Sequence, residues 1–91
     1  MNQSEMLAAL KIDLGLTSDV YDTRLTQMIQ NAIEQMNVEG ANLKPSTSFC
    51  DASLVIMYAA WLWRRRDTMI AMPRMLRWQL NNRIFSEKVK A

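Results

Sequence analysis

Apolar residues recur along most of this chain at alternating steps of three and four, the spacing that lines up side chains on one face of an α-helix. Between about Ser4 and Leu14, Leu7, Leu10 and Leu14 share such a face, and Gly15 predicts the stop because glycine enters the left-handed conformation at little cost. The longest stripe is Leu25, Met28, Ile29, Ala32, Ile33 and Met36. It predicts a second helix that opens after Thr17, Ser18 and Asp19, any of which can cap a first turn, and closes near Glu39 and Gly40. Residues 41–48 read as a loop, since Pro45 turns Lys44 away from helix, and Ser48 or Asp51 can cap the next helix. That third helix is expected over Phe49 to Asp67. From Leu54 to Trp63 it is apolar on every side, which makes it the hub of the core. Pro73 stands where a helix tolerates proline best, and Leu76, Leu80 and Ile84 predict a fourth helix running into a polar tail, Ser86 to Ala91.

Composition narrows the class. A chain of 91 residues with 49% apolar content builds one packed domain, 1–91, with no room for a cleft between domains. Two Gly and two Pro are too few for a turn-rich β fold, so the expected class is all-α, a compact bundle of about four helices. The ten-residue run Leu54 to Trp63 falls short of the ~20 residues that span a bilayer, so no membrane partner is expected. The opening Met1-Asn2-Gln3-Ser4-Glu5 has no basic segment of the secretory kind, which predicts synthesis in a cytoplasm. No His and a single Cys, Cys50, exclude a Cys/His zinc site, a His-based triad and an internal disulfide. No catalytic, cofactor-binding or metal residue is therefore nominated, and Asp19 and Asp22 are explained by their place at a helix start.

The charge is split along the chain. Residues 1–45 hold three cations against six acids, a balance of −3, and the remainder holds eight against three, a balance of +5. The split suggests opposite surfaces, or acidic and basic flanks that pair between identical copies. The run Arg64-Arg65-Arg66 either decorates a helix end, where cations suit the dipole and the free carbonyls, or joins Arg74 and Arg77 in touching phosphate. Consecutive residues point about 100° apart, so one of the three is expected to pair elsewhere; Arg66 with Asp67 is the candidate structural ion pair. Trp61 reads as core. Met28, Met36 and Met57 read as gap-filling core residues, whereas Met69, Met72 and Met75, together with Trp78, are candidates for a subunit-interface patch around the last loop.

Three stretches carry a family resemblance. Leu10-Lys11 and Leu14-Gly15-Leu16 lead through Asp19 and Asp22 to Leu25, Ile29 and Ala32-Ile33. Ala59-Ala60-Trp61-Leu62-Trp63-Arg64-Arg65-Arg66-Asp67 ends in an aromatic, two polar residues, an arginine and an acid. Pro73 leads through Leu76 and Leu80 to Arg83. In this the chain resembles the small head-tail connector, or adaptor, proteins of tailed bacteriophages over roughly residues 6–84, through degenerate apolar patterns with few fixed polar letters. Arg64 and Arg65 depart from it, standing where family members are often acidic or amide-bearing. The resemblance implies a non-enzymatic ring-forming protein, typically dodecameric, seated under the portal protein at the head-tail junction of the virion. Such a ring continues the DNA channel, presents a platform to a tail-completion protein and touches genomic DNA without sequence preference. No cofactor is implied. The alternative is a small DNA-binding regulator with a helix-turn-helix made by the last two helices; against it, the third helix is too apolar to expose and the fourth has few base-reading side chains near its start.

Overall fold

The computed structural model describes residues 2–65 and 71–90. They form four α-helices and no strand: α1 (Gln3–Leu14), α2 (Asp22–Val38), α3 (Phe49–Arg65) and α4 (Arg74–Lys90). The molecule measures 42 × 29 × 18 Å, and its short axis is the thickness of two packed helix layers. α3 packs against each of the other three helices, while α1 and α2 also meet one another, so the apolar third helix is indeed the hub.

The ends of the helices follow local chemistry. Asn2 caps α1 by accepting the Glu5 N–H at 2.8 Å while the Glu5 carboxylate accepts the Asn2 N–H at 3.1 Å, a reciprocal box that satisfies two orphan donors. Gly15 closes α1 at φ 72°, where its N–H reaches the carbonyl of Ile12, as the sequence predicts. α2 begins later than expected, at Asp22. The three candidate caps lie in the preceding turn, where Asp19 accepts from Lys11 at 2.7 Å and the Ser18 hydroxyl accepts the Val20 N–H at 3.2 Å. Of the two candidate caps for α3, Ser48 takes the role, accepting the Asp51 N–H at 3.3 Å. The C-terminal region also departs from expectation: Ser86 onward is not a polar tail but the last turn of α4, which stays helical to Lys90. Glu87 explains the extension, because it is held at 2.8 Å by Arg83 one turn earlier.

The core joins Met6 and Leu10 of α1, Leu25, Ile29, Ala32 and Met36 of α2, Ala52, Leu54, Val55, Tyr58, Ala59 and Ala60 of α3, and Leu76 and Leu80 of α4. Ala41 and Leu43 of the loop close one end. Met28, Met57 and Trp61 are half-buried at its margin rather than inside it. The Tyr58 hydroxyl donates to Gln35 Oε1 at 2.9 Å, which satisfies the one polar atom that this ring brings in. Burial, together with the nearby charge of Glu39, holds the Tyr58 phenol above its usual pKa.

Candidate functional site

Arginines at two neighbouring helix ends make up the candidate contact surface. Arg64 and Arg65 close α3, and Arg74 and Arg77 open α4; Arg64 and Pro73 line one half-open hollow of about 280 Å³ with Asp13, Met57, Ala60, Trp61 and Leu76. The structure therefore brings the end of α3 beside the start of α4, and it engages three of the four arginines. Arg64 pairs with Asp13 of α1 at 3.5 Å, both side chains about half exposed. Arg77 pairs with Glu39 at 2.9 Å. The Arg65 guanidinium lies over the Trp61 ring, 4.5 Å from its centroid, where it keeps its charge and covers an edge of the core. Arg74 is exposed and has no ion-pair partner among the described residues. Arg66, Asp67 and Met69 lie outside the described residues, and so does the ion pair expected between the first two.

The charge split does not separate into opposite surfaces. Asp13–Arg64 and Glu39–Arg77 each join an acid of the first half to an arginine of the second, while Asp51–Arg83 pairs within the second half. Lys11 of the acidic half is itself committed, at 2.7 Å from Asp19 and 3.0 Å from Asp22, and these hydrogen bonds raise its pKa while lowering that of Asp19.

The tightest polar cluster was not nominated by the sequence. Asp51 is 3% exposed and faces Arg83, which donates from Nε to Oδ1 at 2.8 Å and from Nη2 to Oδ2 at 3.3 Å. The same guanidinium reaches Glu87 at 2.8 Å and the Asn42 carbonyl at 3.1 Å, and the Lys44 N–H donates to Asp51 at 2.9 Å. Asn42, at φ 52°, closes the circle by donating to Glu87 at 3.0 Å. Burial pushes the Asp51 carboxyl up, but the Arg83 and Lys44 hydrogen bonds outweigh it and hold the group below its usual value; the same contacts hold Arg83 above its own. All three guanidinium nitrogens of Arg83 and four of its five N–H donors are engaged, so this cluster fastens α3, α4 and the loop together and serves structure before any phosphate contact. The signal available in sequence was thin: Asp51 as a possible cap, and Arg83 as the arginine near the end of the last helix.

The expected interface patch divides. Met72 is half-buried against the core, whereas Met75 and Trp78 are 58% and 62% exposed and flank Arg74 around a shallow apolar hollow. Sequence reading missed the continuation of that patch, since Phe85 and Val89 further along α4 are each 68% exposed. Cys50 is free and exposed at the start of α3. No helix among the described residues is long and apolar enough to cross a membrane. No family model, curated protein or solved structure matches the chain.

Proposed function

We propose that this protein is a structural adaptor of a tailed phage, many copies of which form a ring beneath the portal, extend the DNA channel and join head to tail without catalytic chemistry. The observation that carries the reading is where the resembling stretches fall. Their described parts fall on α1 and α2, on α3 and on α4 of one small all-helical unit, with Ala59 and Ala60 in the core of the hub helix, Pro73 immediately before α4, and Arg83 tying α4 to α3. Exposed apolar side chains away from α4, namely Ile12, Val20, Val38 and Phe49, give the subunit more than one adhesive flank, as a contact that closes by rotation requires. Arg65 and Arg74, with Arg64 and Arg77 behind their ion pairs, are the proposed contacts with portal or channel DNA, and Met75 and Trp78 the proposed contacts between copies.

The helix-turn-helix alternative has less support. The outward face of α4 is mostly apolar, with Met75, Trp78, Phe85 and Val89 exposed and Asn82 the one base-reading side chain among them. Native mass spectrometry over a concentration series, repeated after incubation with the portal protein of the same phage, tests the adaptor. A closed ring of many copies is expected in at least one condition. Absence of any ring in both, together with sequence-selective binding of short duplex DNA, would transfer the assignment to the regulator.

A further inference from the structure

α4 is apolar on two opposite faces, and only one of them is used. Leu76 and Leu80 are buried, and Ile84 packs beside them. At about 100° per residue, Met75, Trp78, Asn82, Phe85 and Val89 fall within one narrow arc on the far side of the helix. These five positions advance by three, four, three and four, the spacing of a helix-pairing seam with Met75, Asn82 and Val89 in one set of layers and Trp78 and Phe85 in the other. All five are exposed.

We infer that this stripe is a self-association seam on which α4 of a second copy packs, parallel and in register. The choice of occupant rests on complementarity. Four of the large exposed apolar side chains of the described residues are on this stripe, while Ile12, Val20, Tyr21, Val38 and Phe49 are scattered over α1, the link to α2, the end of α2 and the start of α3. The surface of this molecule that best matches the stripe is therefore the same stripe on another copy, which defines a two-fold contact.

Charge and polarity choose the orientation. The residues that border the seam are Arg74, Asn81 and Lys88 on one side and Gln79 and Ser86 on the other. Parallel pairing sets Arg74 against Gln79 and Asn81 against Ser86 of the second copy, with no like charges opposed; antiparallel pairing sets Arg74 against Lys88. Parallel pairing also brings the two Asn82 side chains together, where their amides hydrogen-bond one another, and antiparallel pairing would leave each against Trp78. Covering these side chains buries on the order of 800–1,000 Å² in total, below the ~1,200 Å² of a stable specific pair, so the association is weak and concentration-dependent. A ring contact joins two different flanks whereas this seam joins like to like, so Met75 and Trp78 are assigned to pairing between subunits or rings, and the flanks that carry Ile12, Val20, Val38 and Phe49 are left to close the ring.

Sedimentation velocity on the full chain measures the pairing. A reversible monomer–dimer step is expected, or a pairing of rings where rings form, and Phe85→Glu or Trp78→Glu should weaken it at least tenfold without changing the helical circular dichroism, because both side chains stand outside the core. For register, Asn82→Cys in a Cys50→Ser background should give a disulfide-linked dimer under mild oxidation. Association that Phe85→Glu and Trp78→Glu leave unaltered, or a chain that stays monomeric at every concentration, overturns the seam. Efficient cross-linking of Asn82→Cys only to a Trp78→Cys chain overturns the parallel register. Rings that persist in Phe85→Glu after the pairing is lost support both readings, and pairing with no ring in any condition overturns the adaptor alone.

Discussion

The Asp51–Arg83 pair shows how much of this fold rests on a few polar atoms. A buried ion pair adds little over a well-packed apolar one, yet removing one partner strands the other charge without water. Here Arg83 keeps Glu87 and the Asn42 carbonyl, so Asp51→Ala should cost about 2 kcal/mol in urea unfolding, from the two guanidinium donors and the Lys44 N–H that lose their acceptor. The same pair sets an acid limit. The Asp51 carboxyl lies below its ordinary pKa in the folded chain, so its contribution is complete above the unfolded value of about 3.9 and disappears as pH falls from there through the folded one. Unfolding midpoints measured between pH 6 and pH 2 should drop across that window in the parent, and less steeply in Asp51→Asn. Exposed pairs behave differently: Arg64→Gln and Arg77→Gln each remove a half-exposed contact and should each shift stability by under ~1 kcal/mol. Sequence alone could not separate these cases. Asp51 is three residues into a helix, where an acid is commonplace, and nothing local says that an arginine thirty-two positions later will meet it.

Among the elements, legibility followed burial on one side. α2 has a single apolar stripe, and its members Leu25, Ile29, Ala32 and Met36 are all buried, with Met28 and Ile33 at the margin. α3 is apolar all round and sits among three partners, so its central place was equally readable. α4 carries two stripes, and a periodicity search stops at the first, Leu76, Leu80 and Ile84. The outer set then looks like scattered residues leading into a polar tail, because Ser86, Glu87 and Lys88 hide Phe85 and Val89 among charges. Where local chemistry acts alone, the reading was direct. Gly15 ends α1 in the left-handed region with open space around it, so Gly15→Ala should be destabilised by about 1 kcal/mol through backbone strain and not through any clash. By contrast, Leu80→Ala empties a fully buried site between α4 and the hub, and a loss of roughly 2–5 kcal/mol in chemical denaturation is expected.

For the molecule as a whole, folding cancels part of the split charge pattern, because Asp13 meets Arg64 and Glu39 meets Arg77 across helix contacts. Spacing in sequence gave no access to this, since each pair depends on which helix ends become neighbours. The consequence bears on DNA. With Arg64 and Arg77 committed to Asp13 and Glu39, the candidate contact arginines left for phosphate on a single subunit are Arg65 and Arg74. About two phosphate contacts give a log–log salt slope near −2 and a weak grip at physiological ionic strength, which would suit the proposed channel, where a polyanion must slide. In the ring proposed above the contacts would multiply without adding sequence preference, so affinity for duplex DNA should rise with assembly, fall steeply with salt, and ignore sequence. Replacing Arg65 and Arg74 together with glutamine should flatten that slope for every duplex alike while leaving the fold intact, since neither residue holds an ion pair among the described residues. If filter binding across a salt series gave the same slope for parent and double variant, these arginines would be surface features of two helix ends, and the channel role would pass to other cations or vanish.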